Sequence, residues 1–245
     1  MRTEPHFTPE KLLSRMNFKP GCLGSVALIP GPKERSKMLL ENLENPKMSF
    51  SFLDHEMHTG TCNGKRVTVG NGGRYAPDTA ITTELLCAGG VESLIRIGSC
   101  GALHKNVKIG DLVIVTGAIR GEGTTPYYVT QNFSTVSHPE IVHVLTEAAK
   151  VFQVTAHLGW VYTTDALFQE TPELLDGLER QGISAIDMVT SSFLTVAQVR
   201  NKKAGAILAV SDECFSGNYG FRDPRFLDAE NKMVDVAFKA IQFMS

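Results

Sequence analysis

Short apolar runs alternate with longer amphipathic segments along most of the chain. Runs of Val, Ile, Leu and Ala predict β-strands at 25–29, 66–69, 94–97, 112–115 and 206–210. Apolar residues at helical spacing predict helices after the first run and at 79–87, 141–152, 190–200 and 229–243. This alternation predicts an α/β fold, and a length of 245 residues fits one large domain over 1–245.

Four of these strands are followed by small or polar residues. The endings are Gly31, Gly70–Gly73, Gly98–Gly101 and Ser211-Asp212. Ligands of open α/β sheets bind beyond the carboxyl ends of the strands, so the four endings predict one shared pocket. The alternative is that the glycines only end strands and begin turns.

Composition restricts the kind of partner. The net charge is −2, so no basic field attracts nucleic acid or anionic lipid, and an anion must be bound by a local pocket. The five cysteines are odd in number, scattered and without a CxxC pair, which disfavours a disulfide framework or a metal site. No signal-peptide core and no apolar run of about 18 residues is present, so we expect a cytoplasmic protein.

Two arginines are candidates for binding a small anion. Gly31 permits a close approach of the backbone, and Arg35 follows it by about one helical turn. Arg96 lies within an apolar strand that ends near Ser99, where burial without an anionic partner is costly. The alternatives are a solvated helix position for Arg35 and a salt bridge to a buried carboxylate for Arg96.

Several segments resemble the purine nucleoside and uridine phosphorylase family. RIGSCGAL at 96–103 is similar to the family's phosphate-binding strand, and further similar segments follow the family's order at 28–35, 73–81, 108–125, 162–171, 185–193 and 209–213. The resemblance implies a single domain whose mixed, partly barrel-like central sheet is flanked by helices. It also implies a homo-oligomer, either a dimer or a hexamer built as a trimer of dimers.

The resemblance assigns roles at two ends of a nucleoside. Gly31, Arg35, Arg96 and Ser99 would bind inorganic phosphate, which acts as a co-substrate without any further cofactor or metal. Arginines and N–H donors are the groups that an oxyanion prefers. Asp212 would be the catalytic residue that protonates or hydrogen-bonds the leaving base.

Asp212 also bears on the identity of the base. Uridine-type members of the family usually lack this aspartate, so Asp212 favours a purine. Either Arg222 or Arg225 would orient it. The alternative is that Asp212 caps the next segment.

Other positions would contact the nucleoside. Phe168 would stack on the base and Met188 would pack under the sugar, although residues of these types usually belong to the core. His6 would reach the 5′-hydroxyl in a neighbouring subunit, and His55 falls near a position where relatives place an arginine on a neighbour's phosphate. For both histidines the alternative is an exposed surface position.

The sequence departs from the family in three places. Val189 replaces the glutamate that grips the ribose hydroxyls, and a valine accepts no hydrogen bond. Asp187 is two residues earlier and is interpreted as supporting the fold. Pro32 stands where relatives carry an aspartate, and the uridine-reading Gln and Arg are not evident at 169–171.

These features predict a phosphorylase acting on purine nucleosides or their 2′-deoxy forms. One alternative is a nucleosidase that uses water, which Arg35 and Arg96 oppose. Another is uridine phosphorylase-like activity. A third is a non-catalytic homologue that binds a nucleoside or base, which Val189 favours.

Overall fold

A mixed sheet crosses the middle of the molecule in the computed structural model, which describes residues 5–16 and 18–244. In this part of the chain its strands are β1 Val26–Pro30, β2 Glu44–Phe52, β3 His55–Cys62, β4 Lys65–Gly70, β5 Ser93–Ala102, β6 Leu112–Gly121, β7 Thr135–Val136, β8 Ala156–Thr164, β9 Ala185–Asp187, β10 Lys203–Glu213 and β11 Asn218–Tyr219. The helices are α1 Pro9–Arg15, α2 Lys33–Leu40, α3 Ala76–Ala88, α4 Pro139–Val151, α5 Pro172–Arg180, α6 Thr190–Val199 and α7 Pro224–Phe243. Short 3-10 helices occupy Thr125–Tyr127 and Leu167–Gln169.

All five predicted strands are confirmed as β1, β4, β5, β6 and β10, and most of them are longer than predicted. The helix predicted at 229–243 begins earlier, at Pro224. Asp223 caps it there, because its side chain accepts a hydrogen bond from the backbone N–H of Arg225.

Strand β5 joins two parts of the sheet. It pairs with β1 along Ser93–Ile97 and with β9 at Gly101–Ala102, while β10 pairs with it from end to end. The ring β5, β10, β6, β8 and β9 closes a five-stranded barrel, and β1, β4, β3 and β2 extend as an open sheet. A mixed, partly barrel-like sheet flanked by helices is therefore confirmed. Around Gly98 the strand has left β1 and not yet met β9, and a change of neighbour of this kind opens a crevice.

Strand alternation distributes the apolar side chains over two faces of the sheet. Leu28 and Ile97 pack with Phe226 of α7 in one cluster, whereas Ala27 and Phe193 of α6 belong to the other. Arg96 alternates with Ile97, so it projects toward the α6 face.

None of the helices in the described part of the chain combines the length and the apolar character needed to cross a bilayer.

Candidate active site

A cavity of about 310 Å³ opens at the carboxyl ends of several strands. Its wall includes Ser99 and Asp212, in the carboxyl-terminal parts of β5 and β10, and residues that follow β1, β4 and β9, namely Gly31, Gly73 and Met188. The strand endings that the sequence singled out thus come together around one cavity, as predicted.

Arg35 lies in the first turn of α2 and lines this cavity. It is only 4% exposed, so the solvated alternative is wrong. Its Nε donates to Oε1 of Glu230 at 3.1 Å, its Nη2 donates to the same oxygen, and its Nη1 donates to the carbonyl oxygen of Ile97 at 3.2 Å. A guanidinium has five N–H groups, so two of them have no partner among the described residues.

Arg96 is held in the same manner from the middle of β5. Its Nη1 donates to the carbonyl oxygen of Gly73 at 2.7 Å, its Nη2 to Oδ2 of Asp187 at 3.4 Å, and its Nε to Oγ1 of Thr190 at 3.3 Å. The predicted salt bridge to a buried carboxylate is present, yet two N–H groups again have no partner in the described chain. Burial lowers the pKa of the Arg96 guanidinium and Asp187 opposes this change, while an arginine keeps its charge in proteins.

The packing of Arg96 depends on the absence of a side chain at Gly98. A Cβ there would lie 2.9 Å from Cζ of Arg96 and 2.5 Å from Cδ2 of Leu208. Together with the hydroxyl of Ser99, which makes no hydrogen bond within the described residues, the two fixed guanidinium groups form a set of donors suited to an oxyanion.

Arg74 is a third guanidinium at the cavity, and the sequence analysis did not select it. It is exposed and lines both this cavity and an adjacent one of about 340 Å³. Its backbone N–H donates to Oδ2 of Asp78 at 3.2 Å, and its side chain forms no ion pair with a carboxylate of the described residues. Since Glu230 and Asp187 offset the charges of Arg35 and Arg96, Arg74 is the cationic side chain that adds net positive charge here.

Asp212 lies on the far side of the same cavity, directly after a bulge in β10 between Val210 and Asp212. Its Oδ1 accepts a hydrogen bond from the hydroxyl of Ser211 at 2.7 Å, and its Oδ2 accepts one from Sγ of Cys214 at 3.9 Å. Burial raises the pKa of the Asp212 carboxyl above its usual value, although these two donors oppose the change. The carboxyl therefore holds its proton more readily than a solvated aspartate does.

Neither arginine predicted to orient Asp212 contacts it. Arg225 donates to the Asp223 carboxylate beside it, with Nη2 at 2.7 Å from Oδ2, and Arg222 is exposed. The predicted contact is absent because Asp223, the residue that caps α7, binds Arg225, and Arg222 makes no hydrogen bond or ion pair within the described residues.

Glu170 is a second carboxyl group at this side of the cavity, and no motif indicated it. It follows the 3-10 helix Leu167–Gln169, is half-buried, and makes no hydrogen bond or ion pair within the described residues. Burial, followed by the negative charge of Asp212, raises its pKa to about 7. A lone glutamate in a loop is indistinguishable by sequence from a solvated one.

The wall between the arginines and Asp212 is formed by the turn from β9 to α6. Asp187 accepts hydrogen bonds from Oγ1 of Thr163 at 2.8 Å, from Oγ1 of Thr190 at 2.6 Å, and from Arg96. Both of its oxygens are thus used inside the protein, which agrees with its interpretation as a residue that supports the fold. Val189 is 1% exposed and Met188 is partly buried, and both line the cavity.

Two predicted nucleoside contacts lie outside the cavity of this chain. Phe168 is 95% exposed, so neither the core position nor a stacking position in this wall is observed, and Leu167 and Phe221 line the cavity instead. His6 is exposed, and its ring lies against that of Phe7, with 4.5 Å between the ring centroids. Its predicted contact with a neighbouring subunit stays a prediction.

His55 is buried, so the expectation of an exposed surface histidine is wrong for this residue. Its Nε2 bonds to the carboxylate of Asp78, and its Nδ1 lies 3.1 Å from Oγ1 of Thr82. It lines the adjacent cavity rather than the main one. Both ring nitrogens are used within the fold.

Comparison with known proteins agrees with this architecture. Residues 25–242 match the family model described as the phosphorylase superfamily. The chain is 29% identical to the DeoD-type purine nucleoside phosphorylase of Psychromonas ingrahamii over 92% of this chain and 97% of that protein. It is also 29% identical to the uridine phosphorylase of Thermococcus kodakarensis over 87% and 82%, respectively. The crystal structure of uridine phosphorylase from Vibrio fischeri superposes with a TM-score of 0.86 at 21% identity, covering 93% of this chain and 95% of that one. The chain belongs to the phosphorylase superfamily.

Proposed function

We propose that this protein is a nucleoside phosphorylase, which uses inorganic phosphate to convert a purine nucleoside into a free base and a pentose 1-phosphate. The observation that carries the proposal is the arrangement of one cavity. What we call the phosphate end of the cavity is formed by Gly31, Arg35, Arg96 and Ser99. What we call the base end is formed by Asp212 and Glu170. The relatives named as purine nucleoside and uridine phosphorylases support the same reaction class.

At the phosphate end, the protein contributes to catalysis by positioning the phosphate. Arg35 and Arg96 are fixed by internal partners, so their remaining N–H groups are already oriented when phosphate binds. Arg74 at the rim supplies the net positive charge that attracts the anion. Phosphate held next to the sugar reacts as if at high local concentration.

At the base end, the leaving group is neutralised. An oxygen of phosphate bonds to the anomeric carbon, the bond from that carbon to the purine nitrogen breaks, and its electron pair goes to the base. The carboxyl proton of Asp212 passes to the five-membered ring of the purine, so the base leaves neutral. The resulting carboxylate regains a proton from solvent.

Between the two ends, the sugar would meet an apolar wall. Val189 offers no acceptor to a sugar hydroxyl, and the oxygens of Asp187 are already used. A buried hydroxyl without a partner is costly, so 2′-deoxyribonucleosides are favoured over ribonucleosides. Val189→Glu is expected to raise kcat/KM for inosine relative to 2′-deoxyinosine. The control is Val189→Met, because methionine is similar in length to glutamate and has no carboxylate. If the ratio of kcat/KM for inosine to kcat/KM for 2′-deoxyinosine is equal in the two variants, this sugar preference is contradicted.

Assembly into a homo-oligomer is part of the proposal, because His6 lies outside the cavity of its own chain. Light scattering would give the assembled mass. In a dimer or hexamer, His6→Ala is expected to raise KM for nucleosides without changing KM for phosphate. A monomeric mass would contradict this part of the proposal.

The decisive experiment is a panel of nucleosides incubated with the purified protein in the presence and absence of phosphate. We expect phosphate-dependent release of base that is fastest with purine nucleosides. Release independent of phosphate would indicate a nucleosidase. Fastest release from uridine would overturn the purine assignment, and binding of purine nucleosides without turnover would indicate a non-catalytic homologue.

A further inference from the structure

The hydroxyl of Ser211 stands between two acceptors although it carries one hydrogen. Its Oγ lies 2.7 Å from Oδ1 of Asp212 and 3.2 Å from the carbonyl oxygen of Cys100. Ser211 is buried and is the extra residue of the β10 bulge. A serine hydroxyl has one hydrogen to donate, so this hydrogen is either shared between the two acceptors or donated to one of them.

The balance between the two acceptors depends on the protonation state of Asp212. When Asp212 carries its proton on Oδ2, the oxygen on the cavity side, Oδ1 is a neutral carbonyl oxygen, and the hydrogen of Ser211 is shared between Oδ1 and the carbonyl oxygen of Cys100. When Asp212 is ionised, Oδ1 becomes the stronger acceptor, and the hydroxyl donates to it alone. The change is a small rotation about one side-chain bond, and the carboxyl group keeps its place.

No other group near Asp212 in the described chain can hold its carboxyl group in both protonation states. Sγ of Cys214 donates only weakly at 3.9 Å, and Glu170 and Cys100 offer no positive charge. In the described chain no lysine, arginine or histidine side chain contacts the Asp212 carboxylate. A cation there would bind the ionised form and hold the pKa down, which would make Asp212 a poor proton donor.

We propose that Ser211 is a positioning residue that holds Asp212 in one orientation before and after proton transfer: it donates to Oδ1 of the acid and, more strongly, to Oδ1 of the carboxylate, so the transferable proton lies on Oδ2. The inference rests on the proposed function of Asp212 as the acid. The hydroxyl thereby replaces the arginine that the sequence predicted at this place, and it leaves Oδ2 toward the cavity side, where Gly101 has no side chain to meet it.

The test compares leaving bases that do and do not need a proton. Inosine needs one, whereas the base of 7-methylinosine is already cationic. Ser211→Ala is expected to lower kcat for inosine by roughly ten- to a hundredfold, the range of a hydrogen bond to a charged group, and to leave 7-methylinosine within about twofold. Ser211→Thr, which keeps the hydroxyl, should recover most of the inosine rate. Ser137→Ala, at another buried serine that has no hydrogen-bond partner in the described chain, is the matched control and should change neither rate.

A second readout does not depend on turnover. The pKa of Asp212, measured by carbon NMR of the labelled carboxyl, should rise in Ser211→Ala, since the ionised form loses a stronger, charge-assisted hydrogen bond than the neutral form does. If Ser211→Ala does not fold, Ser211→Cys, with its weaker donor, gives the same comparison.

The outcomes separate this inference from the proposed function. Equal slowing of inosine and 7-methylinosine, or an unchanged pKa of Asp212, overturns the role of Ser211. If the wild-type protein cleaves no nucleoside, the proposed function fails, and the NMR titration alone decides whether Ser211 serves both states of the carboxyl.

Discussion

At the phosphate end of the cavity each buried arginine is paired with a carboxylate, whereas at the base end two carboxyl groups lie near each other with no cation in contact among the described residues. Glu230 holds Arg35 in place, and Asp187 holds Arg96. Burial raises the pKa of Asp212, and no cation in the described part of the chain contacts it to oppose this change. The phosphate end therefore binds the anion through fixed donors, whereas the carboxyl groups of the base end gain or lose protons as the pH changes.

Removing the proton donor breaks the base end most severely. Asp212→Asn keeps the shape but cannot release a proton, so kcat for inosine should fall by roughly 10²- to 10⁴-fold. Steady-state kinetics at saturating phosphate measure it. Asp228→Asn, on the exposed side of α7 where Asp228 pairs with Lys232, is the control. An unchanged kcat would remove Asp212 from the chemistry.

Changing the geometry of the phosphate end while keeping its charge is the next largest perturbation. Arg96→Lys retains one positive charge but loses the planar group that bonds in three directions. We expect kcat/KM for phosphate to fall by roughly 10²- to 10³-fold, as when a fixed donor to a developing anion is lost. The control is Arg66→Lys, whose guanidinium bonds to Gly21 and Cys22 near the opposite end of β4. Equal losses in both variants would mean that the losses reflect folding and not the donor geometry at the cavity.

Arg74 tests whether net charge matters beside geometry. Arg74→Ala should raise KM for phosphate by roughly three- to fivefold, which is the size of effect that an exposed ionic contact has. The effect should become smaller as salt is added, because salt screens exposed charges. Lys33→Ala is the matched control, because Lys33 lines only the adjacent cavity and is also exposed. A larger increase of KM for phosphate in the Lys33 variant would mean that phosphate binds in the adjacent cavity, which contradicts the proposed phosphate end.

The smallest effect concerns stability at the base end. The pKa of Glu170 is about 7 in the folded protein against 4.5 ordinarily, so the native state binds more protons between these values and stability falls as pH rises through them. Asp212 and Cys214 are the titratable groups that face Glu170. Glu170→Gln should raise the thermal unfolding midpoint at pH 8 and not at pH 4.5, as followed by circular dichroism. Glu173→Gln, in the exposed first turn of α5, should shift neither, and a stabilisation at both pH values would contradict the raised pKa.

The sequence was informative where a strand is buried on both faces. Strands β1, β5 and β10 each contain an apolar run, which in β5 is interrupted by Arg96, and the small or polar residues after these runs marked the cavity. Strand β2 is mostly exposed and polar, and β8 begins with Ala, His, Leu and Gly before its strand-forming residues, so neither strand was predicted. These elements are fixed by their neighbours in the sheet rather than by their own residues.

At the site, motifs located backbone positions better than side-chain directions. The prediction selected Phe168, but the 3-10 helix turns Leu167 toward the cavity, and a one-residue difference of this kind is not visible in a sequence. The partners of Arg35 and His55, Glu230 and Asp78, are 195 and 23 residues away along the chain. Such pairs become known only when the tertiary fold brings them together.

The most direct test of attack by phosphate is to run the reaction with phosphate labelled by ¹⁸O in all four oxygens and to determine the mass of the sugar product by mass spectrometry. If phosphate held by Arg35 and Arg96 attacks the anomeric carbon, the product is a pentose 1-phosphate that retains all four labelled oxygens. A free pentose carrying an oxygen from water would contradict the central claim.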